Sequence, residues 1–184
     1  MRLILLGGPG SGKGTQAKAL QQRLGVPWIS TGEILRQEIA YGTELGHAVR
    51  SYVEAGDLVP DDQMIALMRQ RLLQPDAVNG WIIDGYPRTA FQAEELDFLL
   101  AELKQQLTQV ICLDVSTAVL VARSLARARS DDTDAVIQRR IDRYQERTVP
   151  ILEYYEVSKR LVRVNGDQPI EQVYQAILSA IGVV

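Results

Sequence analysis

The chain has 184 residues, a length that favours one domain, 46% of them are hydrophobic and the net charge is −3. This composition argues against a disordered chain, and the charge argues against general nucleic-acid binding. One cysteine, Cys112, and one histidine, His47, exclude an intramolecular disulfide and a zinc site of the usual type. No apolar stretch reaches the roughly 18 residues of a membrane span, and the apolar run at the N-terminus is too short for a signal peptide, so we expect a cytoplasmic protein.

Short apolar runs separated by helical patterns predict the fold class. In chain order the strand-like runs are RLILL, PWIS, WIID, VICLDV and LVRVN. They are continuously apolar rather than alternating, which is typical of strands buried on both faces of a parallel sheet. A helical period marks the segments Lys13–Leu24, Ala90–Gln106, Ser116–Ala128 and Ile170–Ile181. The alternation predicts an α/β fold with a doubly wound, five-stranded parallel sheet flanked by helices.

The connection between the second and third strands is longer than one crossover requires. It contains the helix-like runs GEILRQEIA, TELGHAVRSYVEAG and DDQMIALMRQRLL. We therefore predict one domain over residues 1–184 with a small helical insertion.

Small, polar or acidic residues end every predicted strand. They are Gly7, Ser30–Thr31, Asp84–Gly85, Asp114 and Asn165–Gly166. In open α/β sheets the ligand lies beyond the carboxyl ends of the strands, so these segments deliver ligand groups to one edge.

The first strand is followed by GGPGSGKGT, residues Gly7 to Thr15. This stretch matches the phosphate-binding pattern G-x-x-x-x-G-K at Gly7, Gly12 and Lys13, with the hydroxyl one residue late at Thr15. The strand before it and the helix after it are the required context. Glycines let backbone N–H groups approach phosphate oxygens, the helix adds its positive end, and Lys13 reaches the outer phosphates.

Four segments in order carry a family resemblance: GGPGSGKGT, STGEILR (Ser30–Arg36), GDLVPDD (Gly56–Asp62) and IIDGYPRTAFQAE (Ile82–Glu94). Together they resemble the nucleoside monophosphate kinases, and most closely the adenylate kinases. Only ARARSDDTD, residues 126–134, joins the two helical patterns after the fourth strand, which resembles the short-lid form of the family. Glu33 stands where the family usually has Asp. The resemblance implies reversible, Mg²⁺-dependent phosphoryl transfer, ATP + AMP ⇌ 2 ADP, in a monomer that serves adenine-nucleotide homeostasis.

The resemblance also implies roles for particular residues. For ATP it implies Gly10, Ser11, Gly12, Lys13, Gly14, Thr15, Arg123, Arg127 and Gln168. For AMP it implies Thr31, Arg36, Asp57, Leu58, Val59, Gly85, Tyr86, Pro87, Arg88, Gln92, Arg129 and Arg140. For catalysis it implies Lys13, Arg88, Arg123, Arg127, Arg129 and Arg140, with Asp84 on Mg²⁺, directly or through water.

Several assignments on the acceptor side have a simpler structural alternative. Thr31 precedes a helical run and is a good N-cap. Arg36 has the alternative of a solvated helical charge, and Gln92 that of a surface amide, although its donor and acceptor suit an adenine edge. Leu58 and Val59 have the alternative of core residues.

An arginine-rich segment follows the fourth strand. Ile137, Ile141, Tyr144, Thr148 and Ile151 form one predicted apolar stripe. Arg140 lies about 60° from the centre of this stripe, whereas Arg139 and Arg143 point away, so Arg140 is predicted at the edge of the buried face.

The family's two mobile covers correspond to residues 30–59 over AMP and 126–134 over ATP. The second is short, with no cysteines for a zinc cluster. Asp131 and Asp132 either cap the next helix or pair with nearby arginines, and His47 is read as a surface residue.

A pyrimidine monophosphate kinase and a P-loop switch protein remain as alternative functions. Thr31 and Gln92 favour AMP over the former, and an acceptor site containing Arg36, Arg88 and Gln92 argues against the latter.

Overall fold

One parallel sheet organises the molecule in the computed structural model, which describes residues 1–127 and 132–183. Its strands are β1 (Arg2–Leu6), β2 (Trp28–Ser30), β3 (Trp81–Asp84), β4 (Gln109–Asp114) and β5 (Leu161–Asn165). The five strands lie in the order β2-β3-β1-β4-β5, and every pairing is parallel. The predicted doubly wound α/β fold is confirmed.

Helices occupy the connections between the strands. They are α1 (Lys13–Leu24), α2 (Thr31–Tyr41), α3 (Glu44–Ala55), α4 (Asp61–Leu72), α5 (Ala90–Glu102), α6 (Thr117–Arg127), α7 (Asp134–Arg143), α8 (Pro150–Val157) and α9 (Ile170–Ala180). The prediction for α5 was too long, because Lys104 takes a left-handed φ of 54° just beyond the helix end. Among the described residues, none of these helices is long and apolar enough to cross a membrane.

Both faces of the sheet are buried. Leu3 and Leu5 of β1 pack with Leu20 of α1 and Ile177 of α9 on one face. Their neighbours Ile4 and Leu6 join the larger cluster formed with α4, α5 and α8 on the other face. Because alternate residues of a strand point to opposite faces, burial on both sides explains the continuously apolar runs.

The apolar stripe predicted along α7 and α8 is divided between two clusters. Ile137 and Ile141 pack with Leu120 of α6 in a small separate cluster. Ile151 belongs instead to the larger core. A π-helical turn over Tyr144–Thr148 separates the two helices, and its extra residue per turn changes the direction in which the stripe faces. The prediction of one continuous stripe was therefore wrong.

The sheet order places the switch point beside β1. This strand lies between β3 and β4, and the chain winds to one side through β2 and β3 before it crosses to β4 and β5. Ligands of open α/β sheets bind at such points, so the loop after β1 is the expected binding position.

Candidate active site

A cleft of about 980 Å³ lies at the carboxyl edge of the sheet. It is lined by all the predicted site residues that the structure describes except Tyr86. The Tyr86 side chain is 1% exposed, and its hydroxyl donates to the backbone oxygen of Gln92 at 3.2 Å, so this side chain belongs to the core. Arg129 and Asp131 lie outside the described residues.

The loop between β1 and α1 packs closely against α6. Gly10 has a φ of +82°, and a Cβ atom on it would lie 2.5 Å from the backbone oxygen of Leu120. Only glycine combines this backbone conformation with so close an approach. The absence of a side chain at Gly10 thus allows the loop to pack directly against the backbone of α6.

Lys13 folds back onto the loop that precedes it. Its Nζ donates to the backbone oxygens of Gly7 at 2.8 Å and Gly8 at 2.9 Å, and to Ser11 Oγ at 3.3 Å. Burial lowers the pKa of Lys13, while the nearby Asp84 carboxylate opposes this shift. A partly desolvated ammonium group at the start of a helix is well suited to a multiply charged anion.

A second group of predicted site residues begins where β2 meets α2. The N-cap of α2 is Ser30, whose Oγ accepts from the backbone N–H of Glu33 at 3.4 Å. The alternative that Thr31 is the N-cap is therefore wrong. Thr31 is 1% exposed, and its hydroxyl donates to the backbone oxygen of Asp84 at 3.3 Å, which ties α2 to the end of β3.

Gln92 organises a buried polar network beneath this side of the cleft. It is 2% exposed, so the surface-amide alternative is also wrong. Its Oε1 accepts from the backbone N–H of Arg88 at 2.8 Å, and its Nε2 donates to Asp61 Oδ1 at 2.7 Å. The Thr89 hydroxyl donates to the same Asp61 oxygen at 3.1 Å. The network fixes the backbone from which Arg88 extends.

Arg88 lies in an electropositive part of the cleft. Its Nε donates to the backbone oxygen of Gly85 at 2.8 Å. Desolvation by the cleft walls lowers the pKa of Arg88, as do the positive charges of Arg140 and Arg36, while Asp84 opposes the shift. Arg36 itself pairs with Glu33 at 2.6 Å. Cations that disfavour one another's charge form a binding site for an anion.

One arginine of α6 and one of α7 meet at a buried carboxylate. Asp132, whose side chain is fully buried, accepts from Arg127 at 2.8 and 3.1 Å and from Arg140 at 2.6 Å. The helix cap is Thr133, whose hydroxyl accepts from the backbone N–H of Val136 at 3.3 Å. Asp132 therefore pairs with arginines and does not cap α7.

Arg140 lies at the edge of the buried face, as the helical period predicts. Its side chain is 16% exposed, against 53% for Arg139 and 42% for Arg143. Nearby, Arg123 donates to the backbone oxygen of Gly166 at 2.9 Å, which joins α6 to the loop after β5.

Comparison with known proteins identifies the family to which this cleft belongs. The family model described as adenylate kinase matches residues 5–160. The chain belongs to the adenylate kinase family. It is 54% identical over 178 residues to adenylate kinase 2 of Nostoc sp., with 97% of each chain covered. It is 51% identical to adenylate kinase 2 of Synechocystis sp. (97% of this chain, 99% of the other) and 45% identical to adenylate kinase of Stenotrophomonas maltophilia (98% and 99%).

Adenylate kinases are nucleoside monophosphate kinases, transferases that convert ATP and AMP into two molecules of ADP. The predicted family, enzyme class and reaction are thereby confirmed. His47 is exposed, as predicted. The sequence reasoning missed Asp61, which lies inside the quoted GDLVPDD segment but resembles an ordinary helix-start acid, and it left Asp132 unassigned. Asp61 has no local signal, because its partners Thr89 and Gln92 lie on another element. For Asp132 the sequence offered pairing with nearby arginines as one of two alternatives, and the structure selects it.

Proposed function

We propose that this protein binds ATP along the β1–α1 loop and AMP against α2, β3 and α5, and transfers the γ-phosphoryl group between them within the one cleft. The observation that carries the proposal is that Lys13, Arg88 and Arg140, from three different parts of the chain, line the same cavity. A phosphate oxygen of AMP attacks the γ-phosphorus, and the bond from that phosphorus to the bridging oxygen of ATP breaks. Two ADP molecules result, and no general base is required because the acceptor is already anionic.

On the ATP side, backbone N–H groups of residues 10–15 and the N-terminus of α1 receive the phosphates. Lys13 neutralises the outer phosphates, and Arg123 and Arg127 approach the same groups from α6. The backbone around Gln168, which also lines the cleft, contacts the adenine.

On the AMP side, Arg36, Arg88 and Arg140 clamp the phosphate. Arg129, beyond the described residues, is expected to join them. Thr31, Leu58, Val59 and Gln92 form the wall against which the adenine lies, with Asp57, Gly85 and Pro87 beside it. Gln92 already uses one oxygen lone pair and one N–H on the protein, which leaves one of each for a base edge.

The residues present fit a magnesium ion carried in with ATP. Asp84 lines the cleft close enough to Lys13 to affect its pKa, and the described residues contain no cluster of three or more metal-ligating side chains. Mg²⁺ is usually held by one or two carboxylates together with phosphate oxygens and waters, so Asp84 suffices as the protein's contribution. When bound, Mg²⁺ neutralises charge on the transferring phosphates. Structural zinc is not expected.

Residues 30–59 and 126–134 are proposed as the covers that close over AMP and ATP. Adenylate kinases close a lid over their substrates, so this motion is inferred from family membership. Residues 128–131 of the second cover lie outside the described part of the chain. A monomeric state, a cytoplasmic location and the absence of nucleic-acid and membrane partners stay predictions.

A coupled assay of ADP formation tests the proposed base choice. ATP is offered with AMP, UMP, CMP and GMP in turn, to the wild-type protein and to Thr31→Ala. We expect strong preference for AMP, and a relative gain for CMP or UMP in the variant. Equal rates with pyrimidine monophosphates in the wild type would overturn the adenine assignment, and an unchanged preference in Thr31→Ala would remove this residue from base recognition.

A further inference from the structure

A group of contacts at the border of the proposed AMP site joins α7 to the end of α3. Arg143 Nε donates to Asp57 Oδ1 at 2.8 Å, and Arg139 lies 3.7 Å from the other Asp57 oxygen. Arg139 also donates to the backbone oxygen of Ala55 at 3.4 Å, and Arg140 to that of Val53 at 3.3 Å. Consecutive turns of α7 thus hold the last turn of α3.

The backbone of α3 ends close enough to α7 for these contacts to form. Gly56, in the left-handed conformation with φ +75°, follows the last residue of α3, and a Cβ atom on it would lie 3.0 Å from the backbone oxygen of Val136. The end of a helix presents unsatisfied carbonyl groups and the negative pole of the helix dipole, which guanidinium groups complement. The carboxylates of Asp57 and Glu146 raise the pKa of Arg143, so this side chain remains positively charged.

We propose that Asp57, Arg139 and Arg143 form a latch that holds residues 30–59 in the position that receives AMP. The inference rests on the proposed function, since residues 30–59 carry the Thr31, Arg36, Leu58 and Val59 groups assigned to AMP. In the latched arrangement these groups and Arg88 line one cavity. Arg143 is therefore a positioning residue: it fixes the acceptor wall through Asp57.

The latch is weak enough to open in each catalytic cycle. The side chains of Arg143 and Asp57 are 42% and 30% exposed. Ion pairs with this exposure stabilise only modestly and are screened by salt. Loss of the pair is therefore expected to change AMP binding by about two- to five-fold, and not to abolish it.

Steady-state kinetics of Arg143→Gln test the latch, with Arg147→Gln as the matched control, because Arg147 is an exposed arginine one turn further along the chain. We expect the KM for AMP to rise about two- to five-fold in Arg143→Gln, with the KM for ATP unchanged and kcat not lowered.

Added salt should raise the KM for AMP more steeply in the wild type than in Arg143→Gln, because only the wild type has the Arg143–Asp57 pair for salt to screen. Equal effects in Arg143→Gln and Arg147→Gln would overturn the proposal. Equal rises in the KM for ATP and the KM for AMP would also overturn it.

Hydrogen exchange without nucleotide gives a readout independent of catalysis. Amides near residues 53–57 should exchange faster in Arg143→Gln than in the wild type or in Arg147→Gln, because the last turn of α3 loses its anchor. Unchanged protection in Arg143→Gln refutes the latch even if AMP is the acceptor. Faster exchange in an enzyme that does not use AMP would support the latch and refute the proposed function.

Discussion

The two edges of the sheet use cations in different ways. At the amino edge, Arg160 forms two hydrogen bonds with Asp97, at 2.8 and 2.7 Å, and stacks over the rings of Tyr154 and Tyr155 with centroid distances of 5.8 and 5.3 Å. At the carboxyl edge, Lys13 and Arg88 donate to backbone oxygens and are joined to no carboxylate among the described residues.

The difference shows that arginine content alone does not locate a binding site. A carboxylate beside a guanidinium neutralises it and stabilises the fold, as at Arg160. Carbonyl oxygens orient a cation and leave most of its charge for an incoming anion. Variants at the two edges should therefore separate activity from stability.

The largest effect is expected from Lys13→Met. Loss of the ammonium group removes charge stabilisation where negative charge is greatest, and we expect about a 10³-fold fall in kcat/KM. Thermal denaturation should show little change, because removing a desolvated ammonium charge offsets the loss of its hydrogen bonds to Gly7, Gly8 and Ser11. Near-normal ADP formation by the folded variant would exclude a phosphate role.

Arg88→Lys sharpens the comparison, with Arg160→Lys as the matched variant at the other edge. Lysine keeps the charge but loses the fork that makes two parallel contacts to phosphate. We expect kcat/KM for AMP to fall roughly 10²-fold in Arg88→Lys with ATP binding and melting temperature unchanged. In Arg160→Lys the melting temperature should fall while the kinetics hold. The reverse pattern would make Arg88 the structural arginine.

Asp132→Asn is the intermediate case, because Asp132 is a carboxylate inside the cleft's own arginine group. Asparagine keeps the shape but cannot neutralise Arg127 and Arg140, so the two guanidiniums should separate and lose their alignment. We expect about a 10-fold fall in kcat, measured against Asp134→Asn, a charge-matched change two residues later, in the first turn of α7. An equal loss in both variants would indicate a general effect of charge.

Asp97→Asn is expected to leave kcat/KM unchanged and to cost about 1–2 kcal/mol of unfolding free energy at neutral pH. Burial raises the pKa of Asp97, but hydrogen bonds from Arg160 and Tyr154 outweigh it and lower the pKa overall. The carboxylate therefore stabilises the fold above its unfolded pKa of about 4, and this contribution disappears as the pH falls through the lower folded pKa. Denaturation of both proteins across acid pH checks this, and a stability difference that persists at the lowest pH would contradict it.

Features that depend on neighbouring residues were predictable from the sequence. The P-loop, the buried strands and the polar strand ends are each encoded within a few consecutive residues. Contacts between distant residues were not. Gln92 and Asp61 are separated by 31 positions, and Arg143 and Asp57 by 86. Helix period placed Arg140 correctly, but it could not reveal the π-helical turn that redirects α8, because the turn depends on packing against other elements.

The small cluster of Leu120, Ile137 and Ile141 has a consequence for temperature adaptation. It holds α6 and α7 together apart from the two main cores of the sheet. Elements with few shared core contacts open at lower free energy than the whole protein. Substitutions in this cluster are therefore expected to change the temperature at which α6 and α7 open, without changing the packing of the sheet. Turnover is therefore expected to be adjustable in this cluster independently of the melting temperature.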